Sequence, residues 1–331
     1  MYKRQEFLNK TLARVALACL IVIPASIAVT AAATWPTKPV RLIVPFSPGG
    51  GTDIIARTLG QKLSEAFGQQ FIVDNRPGGG TIGAELTVRA APDGYTMCLV
   101  SASYSANPAL YKLPYDPVNG IAPISLLAVG PLIAVASASL KANDLKELIA
   151  LARAKPDSIT YGSTGVGSLA HLVGALLDQR TGVRMVHVPY KGAGPGLTDL
   201  LAGNINFAYY TAVAVLPHVK SGKLRALGVT TEKRVDAFPG VPAIGEVVPG
   251  FAAEHWYGMW GTPGTPPAII ARVNQAVGKF LQMPDLRERI IADGFVPAHS
   301  TPEEYRKRLA RDVARWIEVV KRGNIKVDVI G

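Results

Sequence analysis

Three short glycine-rich segments, residues 47–53, 163–168 and 191–196, have the composition of a ligand site. Each follows an apolar run of strand type. A glycine loop that opens a helix leaves backbone N–H groups unpaired and adds the positive end of the helix dipole, so it can bind anionic oxygens. Each loop alone is also compatible with an ordinary turn. Because two of them precede helix patterns in different parts of the chain, together they predict a site for a small anion.

The glycine spacings do not match those of nucleotide-binding loops. Residues 162–167 read GSTGVG, which lacks the GxGxxG order of dinucleotide-binding proteins, and Leu197 stands where the third glycine of the next loop would be. None of the three segments ends in the Lys-Ser/Thr pair of a phosphate-binding loop. We therefore predict no nucleotide and no other cofactor.

Catalytic chemistry finds little support in the sequence. The five histidines show no metal-ligand spacing and no serine lies in a GxSxG turn, so we predict no metal and no enzyme. His171 lies near a predicted helix start, where packing or a local hydrogen bond explains it. Asp53 could act as a general base, but an acid in a first helical turn is more simply a cap. An enzyme acting on an anionic substrate remains a remote alternative.

The elements that must position these loops alternate along the chain. Apolar runs at 40–46, 71–73 and 95–100 predict strands, and a stripe from Ile55 to Phe67 predicts a helix that ends at Gly68. A second unit begins near Leu132, with a helix capped by Asp144, a helix from Ser168 to Gly182 and four further strands. Residues 255–261 predict an aromatic strand, and helices follow at 267–281 and 302–321. This rhythm is typical of a mixed α/β fold.

The N-terminus and the bulk composition predict the compartment and the domain number. Residues 1–33 have a basic start, an apolar run and small residues at the end, which predict a secretory signal; an uncleaved anchor is the alternative. Without them the formal charge falls from +11 to +8, and the remaining chain is long enough for two domains. No basic and aromatic interleaving indicates nucleic acid. Cys98 in its apolar run is expected to be a buried, unpaired thiol.

Taken together, these motifs resemble the substrate-binding subunits of tripartite tricarboxylate transporters, the Bug-type or TctC-like family. The resemblance extends in order over nearly the whole chain after the signal. It rests on residues 35–41 (WPTKPVR), 44–50 (VPFSPGG), 74–78 (DNRPG), 91–96 (APDGYT), 107–111 (NPALY), 161–163 (YGS), 188–192 (VPYKG) and 222–227 (GKLRAL).

The resemblance implies a two-lobed periplasmic binding protein (type II-like flytrap), each lobe a mixed sheet flanked by helices. Lobe 1 would comprise residues 34–133 plus 255–331, and lobe 2 residues 134–254. Backbone amides and hydroxyls of two glycine loops would hold a ligand carboxylate, often through ordered waters. The substrate-binding residues expected on this basis are Ser47, Gly50, Thr52, Asp53, Ser103, Tyr104, Gly165, Gly167, Ser168, Tyr210 and Thr211. At Gly50 we expect a need for close backbone approach and for a positive φ.

Two departures from the family pattern affect the choice of ligand. Leu169 and Ala170 follow Ser168 where relatives often continue with serines, and Tyr210-Thr211 stand where many relatives have a polar pair such as Asp-Asn. An ammonium group in a closed cleft needs a carboxylate partner. We therefore predict a carboxylate without an amino group, with aromatic acids among the candidates; the alternative is that Tyr210 belongs to the core.

The function implied is capture of a small organic carboxylate in the periplasm and its delivery to the membrane permease of a tripartite tricarboxylate-type transporter. The protein is expected to act as a monomer, without nucleic acid. The alternative is a ligand-sensing component that docks on a signalling receptor, since uptake and sensing need the same binding lobes.

Overall fold

The computed structural model describes residues 35–78 and 80–327 of the chain, and the signal predicted for residues 1–33 lies outside these ranges. The described residues form two separate sheets, each a mixture of parallel and antiparallel strands and each flanked by helices. This confirms the predicted α/β fold with two lobes.

The first sheet has six strands in the order β11-β4-β10-β3-β1-β2. Strands β1, β2 and β3 run parallel to one another, whereas β10 is antiparallel to both β3 and β4. Its strands are β1 (Val40–Val44), β2 (Phe71–Asn75), β3 (Thr96–Ser101), β4 (Ala122–Gly130), β10 (His255–Gly261) and β11 (Val296–Pro297). The aromatic strand was predicted at its observed bounds, whereas β4 was not predicted.

The second sheet has five strands in the order β7-β6-β8-β5-β9. Strand β6 is parallel to β7 and β8, and β5 is antiparallel to β8 and β9. Its strands are β5 (Leu132–Ser137), β6 (Thr160–Ser163), β7 (Val186–Pro189), β8 (Phe207–Thr211) and β9 (Leu224–Val229).

Ten α-helices of the described chain cover the sheets and the connections between them. None of them combines the length and the apolar content needed to cross a bilayer. They are α1 (Gly51–Phe67), α2 (Thr81–Val88), α3 (Asn107–Leu110), α4 (Leu145–Ala154), α5 (Leu169–Thr181), α6 (Ala193–Ala202), α7 (Ala212–Lys220), α8 (Pro267–Phe280), α9 (Pro284–Ala292) and α10 (Pro302–Arg322). Two short 3-10 helices lie at Ala102–Ala106 and Ile244–Glu246.

The predicted helix ends are confirmed where local chemistry determines them. Gly68 and Gly182 end α1 and α5 with a left-handed φ of 68° each, which costs a glycine little. Asp144 caps α4 by accepting the Glu147 N–H at 2.8 Å. Thr301 and Glu304 form a reciprocal capping box at the start of α10.

Three apolar clusters hold these layers together. Residues such as Leu42 and Met259 pack the first sheet against α1, α8 and α9, while residues such as Ile133 and Val215 pack the second sheet against α6 and α7. The third cluster includes buried residues of both sheets and of α4, α5 and α10. It therefore joins the two lobes on one side of the molecule.

Helix α10 is anchored to the first lobe by a buried polar group. Asp312 accepts from Trp256 Nε1 at 2.8 Å and from Arg308 Nε at 2.9 Å, and Arg308 also pairs with Glu254 at 2.8 Å. On the second lobe, Gln179 of α5 donates to the Val319 carbonyl of α10 at 2.8 Å. The helix therefore contacts both lobes.

The chain passes between the sheets twice, from β4 to β5 and from β9 towards β10. The two connections are hydrogen-bonded to each other, since Leu132 donates to Thr230 Oγ1 at 2.9 Å and Thr230 donates back to the Leu132 carbonyl at 3.0 Å. Ala253 donates to the Thr230 carbonyl at 2.7 Å on the return to the first sheet. These residues form the junction between the lobes.

Candidate functional site

A cleft with a volume of about 590 Å³ lies between the two lobes of the described structure. Loops from both sheets line it, and the predicted residues Ser47, Gly50, Thr52, Ser103, Gly165, Gly167, Ser168, Tyr210 and Thr211 are among them. The structure thus brings nine of the eleven predicted residues to one cleft, and it does not bring Asp53 or Tyr104 there.

Asp53 holds the first glycine loop in place by hydrogen bonds and does not itself line the cleft. Its carboxylate accepts from Gly49 N at 2.9 Å, from Arg57 Nε at 3.0 Å and from Asn75 Nδ2 at 3.0 Å. Burial disfavours the charge, but the hydrogen bonds from Arg57, Gly49 and Asn75 outweigh it and lower the pKa of Asp53. The carboxylate is therefore ionised, bonded within the protein and outside the lining of the cleft.

The first loop also corrects our expectation for Gly50. Its φ is −79°, which any residue can adopt, and the positive φ of 84° belongs to Gly49. A Cβ on Gly50 would meet only the Ser47 carbonyl, at 3.9 Å, so the position is open. The close approach occurs instead at Gly51, where a Cβ would lie 2.2 Å from the Tyr257 hydroxyl.

The second loop has most of its N–H groups bonded within the protein. Gly165 donates to Ser163 Oγ at 3.1 Å and Gly167 donates to His171 Nδ1 at 3.1 Å. Ser168 donates to the Gly165 carbonyl at 3.2 Å. The amides of Gly165, Gly167 and Ser168, which we expected to hold the ligand, are therefore already hydrogen-bonded within the protein. Across residues 165–170 of the described structure, the N–H groups of Val166 and Ala170 have no protein acceptor.

Ser103 connects the two lobes across the cleft. Its hydroxyl accepts from the Leu169 N–H at 3.3 Å, so it occupies one donor at the start of α5. Nearby, a Cβ on Gly167 would lie 2.6 Å from Leu110 Cδ1 of the first lobe. The second loop therefore rests against the segment that follows β3.

Tyr104, the neighbour of Ser103, points the other way. Its side chain is fully buried, its ring centroid is 5.7 Å from that of Trp260, and its hydroxyl donates to the Pro117 carbonyl at 3.3 Å. The expectation that it selects the ligand is not supported by this position, because consecutive residues of the turn face opposite sides.

Tyr210 and Thr211 line the cleft at the end of β8, but they differ in what they offer. Tyr210 is 1% exposed and belongs to the apolar cluster of the second sheet, which is the alternative stated above. A Cβ on Gly196 of α6 would lie 2.3 Å from its hydroxyl oxygen. The hydroxyl is thus directed under α6. Thr211 is the residue before α7, so it marks a helix N-terminus at the cleft.

The third glycine loop contributes residues that we had not placed in the site. Lys191, Gly192 and Ala193 line the cleft at the start of α6. Lys191 is the only Lys, Arg, Asp or Glu among the described lining residues. The glycine pattern was visible in the sequence, and it could have identified this loop.

Several residues that line the cleft carry buried polar groups without a hydrogen-bond partner in the described structure. Four such groups have no partner among the described residues: Asn107 Nδ2, His255 Nδ1 and the hydroxyls of Tyr209 and Tyr210. Burial lowers the pKa of His255 to about 4, so its imidazole is neutral at neutral pH. These groups can exchange hydrogen bonds with a ligand or with water.

The electrostatics of the cleft favour an anion. Helices α1, α5 and α6 begin at lining residues and α7 begins directly after the lining residue Thr211, and each N-terminus contributes partial positive charge. Lys191 adds a full charge, and no lining residue in the described structure is a carboxylate. In the described ranges no group of three or more His, Cys, Asp or Glu is placed to hold a metal ion.

Two α/β lobes around a cleft with these properties define a class, the two-lobed solute-binding proteins. Residues 55–325 match the family described as "Tripartite tricarboxylate transporter family receptor". The chain is 37% identical to protein BugT of Bordetella pertussis over 299 residues, 89% of this chain and 92% of that one. It is 34% identical to the UPF0065 protein in the tcbD-tcbE intergenic region of Pseudomonas sp. (strain P51), over 86% of each chain. The chain belongs to this receptor family.

Solved structures agree with this assignment. R. palustris Rpa4515 with adipate is 34% identical with a TM-score of 0.79, over 88% of this chain and 99% of that one. The periplasmic binding protein BugD is 33% identical with a TM-score of 0.77, over the same shares of the two chains. MatC (Rpa3494) from Rhodopseudomonas palustris with bound malate is 30% identical with a TM-score of 0.77, over 86% of this chain and 100% of that one. The relatives are named as receptors and binding proteins, and the chain is a solute-binding protein, not an enzyme.

Proposed function

We propose that this protein captures a small organic carboxylate in the cleft between its lobes and delivers it to the membrane permease of a tripartite tricarboxylate-type transporter. The observation that carries the proposal is the meeting of four helix N-termini and Lys191 in a cleft whose described lining holds no carboxylate. Relatives solved with adipate and with malate support the ligand class. The basic and apolar start of the chain and the periplasmic relative BugD support a periplasmic location.

The ligand we propose is a carboxylate without an amino group. An α-amino acid would bring an ammonium group into the cleft, where leaving it unpaired costs several kcal/mol. Asp53, the nearest acid of the first loop, is already bonded to Gly49, Arg57 and Asn75. Tyr210 and Thr211 line the cleft at the end of β8 and bring no negative charge that could pair with an ammonium group.

The test is binding by the purified protein without residues 1–33. Thermal-shift screening against mono-, di- and tricarboxylates should identify ligands, and calorimetry should rank adipate, malate, citrate and benzoate against glutamate and aspartate. We expect the acids without an amino group to bind more tightly. No shift with any acid would overturn carboxylate capture, and tightest binding of either amino acid would overturn the ligand class alone.

Delivery to a permease has its own test in the native host. Deleting the gene should abolish uptake of the radiolabelled ligand, and a plasmid copy should restore it. Unchanged uptake together with a lost transcriptional response to the ligand would instead assign the protein to signalling.

We further propose that residues 34–133 plus 255–331 and residues 134–254 are the two lobes, and that they close on the ligand in a monomer. The distribution of strands between the two sheets supports this division. A ligand that binds the closed form preferentially shifts the equilibrium towards it. Small-angle scattering should give a monomer with a smaller radius of gyration at saturation. An unchanged radius would contradict closure.

A further inference from the structure

Two stacked imidazoles lie beneath the second glycine loop. The rings of His171 on α5 and His187 on β7 are parallel within 5°, with centroids 3.7 Å apart. His171 is 7% exposed, and the Tyr161 ring centroid lies 5.1 Å from that of His187. Each imidazole is therefore held in place by packing.

Each histidine is hydrogen-bonded to the loop above it. His171 Nδ1 accepts from Gly167 N at 3.1 Å, which requires the tautomer protonated at Nε2. His187 Nε2 lies 2.7 Å from Ser163 Oγ. Ser163 Oγ also lies 3.0 Å from the Gly165 carbonyl, which can only accept, so a hydroxyl proton directed to that carbonyl leaves His187 Nε2 as the donor to Ser163. Both rings thus act as neutral, directed partners of the loop.

The charge state agrees with this geometry. Burial lowers the pKa of His171 to about 4, and burial together with the charge of His171 lowers that of His187 to about 3. At neutral pH both imidazoles are uncharged, so Nδ1 of His171 is free to accept the Gly167 N–H.

We propose that His171 is a positioning residue for the ligand: by holding the Gly167 amide it sets the direction of the N–H groups of Val166 and Ala170, two residues that line the cleft. The inference rests on the proposed carboxylate-binding function. It concerns a side chain that does not touch the cleft, because His171 is absent from the residues that line it.

The loop needs such support because of its backbone. Gly165 and Gly167 have φ values of 137° and 76°, and glycine can leave these conformations without steric cost. Without the bond to His171 the loop has more conformations to lose when a ligand binds, and ordering it then reduces affinity. Between the two glycines, Val166 is 41% exposed and has little packing of its own.

The decisive variants are His171→Leu and His171→Asn. Leucine removes the acceptor, whereas asparagine Oδ1 stands at the same bond position as imidazole Nδ1 and can accept from Gly167. We expect His171→Leu to raise the Kd for adipate or malate by about tenfold or more, and His171→Asn to stay within about threefold of wild type. Equal affinities in all three proteins would overturn the proposal.

Leu176→Ala separates positioning from stability. Leu176 is buried on the same helix, more than one turn beyond His171, and does not line the cleft. Its truncation should lower the melting temperature at least as much as His171→Leu while the Kd stays near the wild-type value. If the Kd instead followed the melting temperature across the variants, His171 would be merely structural.

A ligand-free measurement keeps the inference distinct from the proposed function. Amide hydrogen exchange at Gly167 should be slow in wild type and His171→Asn, and much faster in His171→Leu. Slow exchange in His171→Leu would refute the positioning role even if carboxylates bind. Absence of binding by the wild-type protein, with the expected exchange pattern, would refute only the proposed function.

Discussion

Replacing Asp53 by asparagine tests whether the hydrogen bonds of its carboxylate fix the position of the first glycine loop. The substitution keeps the shape of the side chain but exchanges one acceptor oxygen for a donor. If the introduced amide keeps its oxygen towards Gly49 and Arg57, its NH₂ group faces the NH₂ group of Asn75, which donates to Asp53 at 3.0 Å in the wild type. At least one of the three hydrogen bonds must break, and the loop that begins at Ser47 loses its fixed position.

The expected loss follows from the kind of bond. A hydrogen bond to a charged group contributes about 1.5–3 kcal/mol, so the free energy of unfolding should fall by about 2–3 kcal/mol. The Arg57 ion pair adds little, because the Arg57 side chain is 56% exposed. The looser loop should raise the Kd for adipate by about tenfold, which corresponds to about 1.4 kcal/mol.

Urea denaturation and calorimetry of Asp53→Asn provide the two measurements, and Asp285→Asn is the matched control. Asp285 also lies in a first helical turn and pairs with a cation, Lys62, but it is exposed and does not line the cleft. Wild-type stability and affinity in Asp53→Asn would refute the support role. Lost binding with unchanged stability would refute our placement of the carboxylate away from the ligand.

Three further predictions concern the cleft and its supports. Gly50→Val should leave the fold intact, because its Cβ position is open, but should raise the Kd strongly by filling the cleft; normal affinity would show that the loop is a simple turn. Lys191→Gln should weaken adipate binding severalfold and make the Kd less dependent on salt, whereas an unchanged salt dependence would remove Lys191 from the site. Because burial lowers the pKa of His171 from 6.5 to about 4, the unfolded chain binds the extra proton between these values. The contribution of His171 to the free energy of unfolding should therefore be full above about pH 6.5 and fall by on the order of 3 kcal/mol towards pH 4. Urea denaturation at a series of pH values measures it, and an equal pH dependence of the free energy of unfolding in wild type and His171→Asn would contradict this.

The features that the sequence predicted well are those determined by neighbouring residues. The glycine stops at 68 and 182, the Asp144 cap and the Thr301 capping box depend on contacts within one helical turn. The glycine loops were predicted at the cleft for the same reason, since a strand, a loop and a helix in succession already expose N–H groups.

The features that the sequence did not predict depend on distant residues. Asp53 was assigned to the ligand because its partner Asn75 is 22 positions away, on the next strand. Tyr104 was assigned to the cleft because sequence cannot show which of two adjacent residues faces Trp260. Asn107 and His255 meet at the cleft only after β10 has inserted between β3 and β4. Long-range pairing of this kind leaves no local pattern.

The paired connections between the lobes have a mechanical consequence. Because the two connections are bonded to each other at Leu132 and Thr230, they should restrict the proposed closure to rotation about one axis that passes through this junction. Helix α10 contacts both lobes on one side of this junction. If the lobes close about this axis as we propose, the hydrogen bond from Leu169 N to Ser103 Oγ marks the place where the two rims of the cleft meet.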